Sequence, residues 1–188
     1  MNGLWRDKTM TVTTAVTQEL SLKQTAVDAA LFNILLGSLI VGTLKINPAI
    51  WANDYPPDIK EKFGPMSKKT KRQAAIVAVP FFVLMIGGLI WSNIKLKRRN
   101  QGKLSFKAAF LNAYILILSS WLFDLTILDW LMFVRLTPDF VVLPGTEGMA
   151  GYDDYGFHLR EHMRALPMLA GFALIVALLT ASRPWRMK

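Results

Sequence analysis

The chain has 188 residues, 53% of them hydrophobic, and a formal net charge of +9. Only 19% of the residues are charged, against about 25% in a typical soluble domain. Cysteine is absent, which excludes disulfides, thiolate metal ligands and cysteine nucleophiles. The basic residues flank apolar segments, so we expect a lipid bilayer with anionic headgroups as the partner, and no nucleic acid.

Residues 1–24 are predicted to form a polar N-terminal tail, and the first membrane span covers about 26–46. Within this span, Asn33 is expected to hydrogen-bond a neighbouring helix, because an unpaired amide in an apolar environment is costly. Ser38 and Gly42 form a pair of small residues four apart, a pattern that favours close helix approach.

Residues 74–94 contain no charge and are long enough to cross the roughly 30 Å hydrocarbon core of a bilayer. A third span, about 106–134, is longer than an untilted crossing needs. The fourth covers about 165–182 and carries Ala173, Ala177 and Ala181 on one face. The sequence therefore predicts an all-α, four-helix transmembrane bundle over residues 25–183, followed by a basic tail at 184–188.

Three connections join the predicted spans. In the first, 47–73, Pro56 and Pro57 predict the start of a short interfacial helix that ends near Gly64. The second is the basic turn Lys95–Lys103, and the third, about 135–164, is an irregular loop that contains both histidines of the chain. Because the positive-inside rule gives most weight to short basic loops, we expect both termini on the cytoplasmic side of a plasma (inner) membrane.

The sequence His158-Leu159-Arg160-Glu161-His162 fits the H-x-x-E-H pattern of inverted zinc metallopeptidases. In a helix, residues four apart share a face, so the two imidazoles can bind one Zn²⁺ or another divalent metal. Asp154, one turn earlier, extends the same stripe and is the third candidate ligand, while Glu161 is the candidate catalytic base. The alternative is a solvated helix start with no metal.

Asp124 falls within the third span, where an ionisable residue marks a proton relay, an ion site or a partner for a basic group. Asp129 and Asn33 are the other polar candidates inside the spans. We expect Asp124 and Asp129 to line one outward-facing pocket with the histidine-bearing loop, unless Asp124 pairs with an arginine at the surface.

The stretches Asn53–Lys60 (NDYPPDIK) and Gly151–His162 (GYDDYGFHLREH) resemble segments of small, uncharacterised prokaryotic four-helix integral membrane proteins. The resemblance carries no activity. It implies that the first and third connections belong to one outward-facing unit.

Three functions are compatible with the sequence, which leaves open whether the protein is an enzyme. The first is a binding or accessory membrane component with outward-facing loops, working with a membrane protein partner or as a homo-oligomer. The second is a metal-dependent membrane enzyme that uses the H-x-x-E-H motif. The third is an oligomeric ion or small-solute carrier that uses Asp124. No P-loop, G-x-G-x-x-G or G-x-S-x-G motif occurs in the chain.

Overall fold

The computed structural model describes residues 20–182, and every regular element in this range is helical. The α-helices, numbered in chain order, are α1 (Leu22–Ile46), α2 (Pro57–Phe63), α3 (Lys68–Arg99), α4 (Phe106–Phe123) and α5 (Tyr155–Thr180). Helix α4 continues directly into a π-helical segment, Asp124–Leu136. Short 3₁₀ helices occupy the connections at Pro48–Asp54, Asp139–Val141 and Ala150–Asp153.

Four helices in the described range are long and apolar enough to cross a membrane. They comprise 25 residues in α1, 32 in α3, 31 in α4 with its π segment, and 26 in α5. A lipid interior offers no hydrogen-bond partners, so a crossing segment must satisfy its backbone internally, as a helix does. The predicted all-helical architecture with four helices long and apolar enough to cross a membrane is confirmed, and it is compatible with a multi-pass membrane protein.

The last helix begins at Tyr155 instead of at Ala165, so the histidines lie in a helix and not in an irregular loop. The cause is local. The Asp154 side chain accepts a hydrogen bond from the Phe157 amide at 2.8 Å, which caps the helix N-terminus. Most of the predicted N-terminal tail and the whole of the basic C-terminal tail lie outside the described residues.

The chain divides into two compact units, and the long helices contribute residues to both. Unit 1 comprises 20–32, Ile86–Ser119 and 167–182 of the described residues, and unit 2 comprises Asn33–Met85 and Ser120–Leu166.

Asn112 is the centre of a buried polar network in unit 1 that joins all four long helices. Its amide nitrogen donates to Ser92 Oγ and to Asn93 Oδ1, both at 2.9 Å, and its oxygen accepts from Thr25 Oγ1 at 2.7 Å. Asn93 then donates to Thr180 Oγ1 at 2.8 Å. All five side chains are buried. Because solvent does not reach their polar groups, these groups must hydrogen-bond one another.

An ion pair between the buried Asp28 and the partly exposed Lys95 extends this network. The Asp28 side chain is fully buried and accepts from Lys95 Nζ at 2.6 Å, from Ser92 Oγ at 2.8 Å and from Gln24 Nε2 at 3.4 Å. A buried carboxylate is tolerated only when it is paired and hydrogen-bonded, and Asp28 has both kinds of partner.

The alanine face predicted for the last span is confirmed at Ala173 and Ala177, which are fully buried. Ala177 packs in a cluster with Leu96, Leu104, Ala108 and Ala109.

Ser38 and Gly42 lie on an exposed face of α1, so the close helix approach predicted there is not made within the described chain. The close approach lies instead at Gly37, within unit 2. A Cβ at Gly37 would lie 2.9 Å from the Phe123 ring, closer than real carbon atoms approach.

In unit 2, the connection before α3 packs against the connection before α5. The Tyr55 hydroxyl donates to the Val141 carbonyl at 2.7 Å, and the Gly151 amide donates to Asp58 Oδ2 at 2.9 Å. Burial raises the pKa of the Tyr55 hydroxyl, which therefore stays protonated and able to donate. The two segments that carry the sequence resemblance are thus in direct contact.

We expect Asn112→Leu to lower the free energy of unfolding by about 1–2 kcal/mol, because it removes the donor to the buried Asn93 side-chain oxygen and leaves the Thr25 hydroxyl with the Ser21 carbonyl alone. Reversible unfolding in mixed micelles measures this change. The control Ser38→Leu alters an exposed position and should change stability by less than about 0.5 kcal/mol. Equal effects of the two substitutions would contradict the role of the network.

Candidate metal centre

Helix α5 places both histidines on one face, because residues four apart in an α-helix lie one turn apart. His158 is buried, and the His162 side chain is mostly buried with 12% of its surface exposed. Aromatic rings hold both imidazoles in place. The Phe133 ring centroid lies 4.9 Å from that of His158, and the Trp121 ring centroid lies 5.6 Å from that of His162.

The π segment places Asp124 and Asp129 on one face as well. In an α-helix, residues five apart point about 140° away from each other. In a π-helix, each amide bonds to the carbonyl five residues back and the turn is wider, so residues five apart return to roughly the same face. The segment keeps this bonding to its end, where the Thr137 amide donates to the Met132 carbonyl at 3.0 Å. One π turn of aspartates therefore faces one α turn of histidines.

His158 pairs with Asp129. The distance from His158 Nδ1 to Asp129 Oδ2 is 3.1 Å. An ionised carboxylate can only accept, so Nδ1 carries the proton and Nε2 of the neutral ring keeps its lone pair. Among the described residues, His158 Nε2 is buried and has no hydrogen-bond partner.

His162 lies between the two aspartates. Its Nδ1 is 3.0 Å from the His158 carbonyl oxygen and 3.4 Å from Asp129 Oδ2, which are both acceptors, so Nδ1 carries a proton. Its Nε2 lies 3.4 Å from Asp124 Oδ2. In the neutral ring this second nitrogen has a lone pair that faces a carboxylate. Only a second proton or a cation makes that contact attractive.

One ligand atom each from Asp124, Asp129 and His162 lies within 4.8 Å of the others. The cluster has a buried side and an open side, because the exposed fraction of the side chain is 45% at Asp124, 21% at Asp129 and 12% at His162. These residues form a half-open group of one imidazole and two carboxylates.

Asp54, at the end of the 3₁₀ helix Pro48–Asp54, adds negative charge near this cluster. Partial desolvation raises the pKa of the Asp54 carboxyl. The charges of Asp124 and Asp129 act in the same direction, and Lys60 opposes them. Negative charge is therefore concentrated around this cluster, and it favours the binding of a cation.

The other predicted site residues lie elsewhere. Asp154 caps α5, and its Oδ2 lies 3.4 Å from Arg160 Nη2. The hydrogen bond from the Phe157 amide lowers the pKa of the Asp154 carboxyl. Glu161 is exposed and pairs with Arg164. The structure thus brings together His162, Asp124 and Asp129, and places neither Asp154 nor Glu161 in that group.

Asn33 makes the interhelical hydrogen bond expected from the sequence. The Ser120 hydroxyl of α4 donates to its side-chain oxygen at 2.6 Å. We assign Asn33 to helix packing within unit 2.

Sequence reasoning proposed that Asp124 and Asp129 converge with the histidines, but it missed the π-helical segment that brings them there. Two signals pointed to this segment. The third span is longer than a crossing needs, and its two aspartates are five residues apart, a spacing that suits a π turn and not an α turn.

None of the protein-family models, curated proteins or solved structures with which the chain was compared matches it.

Asp154→Ala should destabilise the first turn of α5, because the Phe157 amide loses its acceptor, whereas Asp154→Asn keeps a capping side chain. Amide hydrogen exchange over residues 155–160 measures the effect, with faster exchange expected in Asp154→Ala alone. Unchanged exchange in both variants would mean that Asp154 does not cap the helix.

Proposed function

We propose that the protein is an integral membrane component that binds a divalent transition-metal ion at Asp124, Asp129 and His162, with Zn²⁺ as the best-fitting ion. The observation that supports this proposal most directly is the 3.4 Å distance between His162 Nε2 and Asp124 Oδ2, two atoms that can each bind a metal ion when the imidazole is neutral. Two ligand atoms bound to a tetrahedral Zn²⁺ at about 2.1 Å lie about 3.4 Å from each other.

The ligand chemistry supports Zn²⁺ over Mg²⁺ or Ca²⁺. An imidazole with two carboxylates suits zinc and similar transition metals, whereas Mg²⁺ and Ca²⁺ prefer oxygen ligands alone. Three protein ligands leave one position for water or for a ligand from a partner. The open side of the cluster at Asp124 suits such a position.

His158 hydrogen-bonds the proposed ligand Asp129 and is not itself one of the three proposed ligands. Metal-binding carboxylates are commonly oriented by a hydrogen bond from a second side chain, and His158 Nδ1 is 3.1 Å from Asp129 Oδ2. We therefore assign His158 to orienting Asp129, where the sequence pattern alone made it a direct ligand.

Zinc hydrolase chemistry through Glu161 receives no support from this geometry. The Glu161 carboxylate is exposed and pairs with Arg164, outside the cluster. We favour a binding or accessory component, with the connections before α3 and α5 on the outer side of a plasma membrane and both termini in the cytoplasm.

Purified protein should bind one Zn²⁺ per chain and melt at a higher temperature in its presence, because a ligand that binds only the folded state stabilises it. Asp124→Asn, Asp129→Asn and His162→Gln should each weaken binding by at least about tenfold. Metal analysis after dialysis and zinc titration calorimetry measure both effects.

Asp154→Asn and Glu161→Gln are the matched controls, since they alter a carboxylate of the same region that lies outside the cluster. Both should bind zinc as the unaltered protein does. The proposal fails if the unaltered protein retains no zinc, or if the control variants lose it to the same extent as the cluster variants.

A further inference from the structure

The turn between α3 and α4, in unit 1, concentrates positive charge. No acidic residue occurs in the sequence between Glu61 and Asp124. Six basic residues lie in the last turns of α3, in the turn and at the start of α4: Lys95, Lys97, Arg98, Arg99, Lys103 and Lys107.

Two of the six basic side chains bind within the protein. Lys95 pairs with the buried Asp28, and Lys97 Nζ donates to the Thr180 carbonyl at 3.0 Å. The other four are exposed, and within residues 20–182 none of their side chains has a hydrogen-bond or ion-pair partner: Arg98, Arg99, Lys103 and Lys107. These four positive charges are therefore available to a ligand outside the protein.

The backbone of this turn is held in a defined shape. Gly102 has φ +82°, a conformation that glycine adopts without strain, and its amide donates to the Lys97 carbonyl at 2.9 Å. Ser182 clamps the turn from the end of the described chain. Its hydroxyl donates to the Gly102 carbonyl at 3.1 Å and accepts from the Leu104 amide at 3.0 Å.

Helix-dipole stabilisation accounts for only part of this charge. Basic residues at the end of α3 interact favourably with the negative end of its dipole. Lys107, however, lies in the first turn of α4, where the dipole disfavours a cation. The helix dipole therefore does not account for Lys107.

Exposed apolar side chains border the charges. Phe106 is 44% exposed and precedes Lys107, while Ile94 is 39% exposed and lies one helical turn before Arg98. Trp91, one turn earlier in α3, is 51% exposed. A ligand that fits here combines a phosphate with hydrocarbon chains.

We propose that this turn is a binding site for an anionic phospholipid, in which Arg98, Lys103 and Lys107 hold the headgroup phosphate and Phe106 and Ile94 contact the acyl chains. The proposal is independent of the metal centre. Juxtamembrane basic clusters attract anionic headgroups, and a fixed turn presents several charges to a single lipid.

Titration of the full-length protein in detergent with short-chain phosphatidylglycerol, followed by native mass spectrometry, tests this site. The triple variant Arg98→Gln, Lys103→Gln, Lys107→Gln should bind at least about tenfold more weakly. The conservative triple Arg98→Lys, Lys103→Arg, Lys107→Arg should keep most of the affinity, because the charges remain.

The matched control Lys68→Gln, Lys69→Gln, Lys71→Gln removes the same charge from the start of α3 and should change the affinity by about twofold or less. Phosphatidylcholine and inorganic phosphate should both bind much more weakly than phosphatidylglycerol. The proposal is overturned if both neutral triples lose affinity equally, if the first triple loses none, or if inorganic phosphate binds as tightly as the lipid.

Discussion

Buried polar side chains in this apolar bundle must find their partners within the protein, and this constraint governs the described structure. In unit 1, Asn112 meets it by joining α4 to α1 and α3, and Asn93 carries the connection to Thr180 of α5. Each buried amide thereby restricts which helices pair and in what register, because a shift of one residue would leave several polar groups unpaired. Apolar packing against lipid is far less selective, since lipid tails are as apolar as leucine.

The same constraint in unit 2 produces a cluster instead of a closed network. Asp129 is satisfied by His158, and His162 is placed between Asp129 and Asp124, yet His162 Nε2 faces a carboxylate and His158 Nε2 has no partner among the described residues. Polar groups that remain incompletely satisfied in a buried position are expected at functional sites more than in structural networks. The contrast between the two units is the physical reason for placing function in unit 2.

Much of the fold could be predicted from the sequence. The residues that form the candidate site could be predicted only in part. Uninterrupted apolar segments such as 74–94 indicate spanning helices because the bilayer fixes their length. The H-x-x-E-H pattern correctly paired His158 and His162 on one helix face. It suggested Asp154 and Glu161 as their partners because sequence proximity cannot show that Asp154 caps the helix and Glu161 pairs with Arg164. The partners Asp124 and Asp129 depend on the π-helical register of Asp124–Leu136, which local propensity alone does not predict, although the five-residue spacing of the two aspartates is compatible with it.

The ligand set of the proposed metal centre can be measured directly. X-ray absorption at the zinc edge of the zinc-loaded protein counts imidazole and carboxylate ligands without reference to any variant. The structure predicts one imidazole per zinc, together with carboxylate oxygens. Two imidazoles per zinc would show that His158 binds the ion itself, as the sequence pattern alone suggests, and would contradict the assignment of His158 to the support of Asp129.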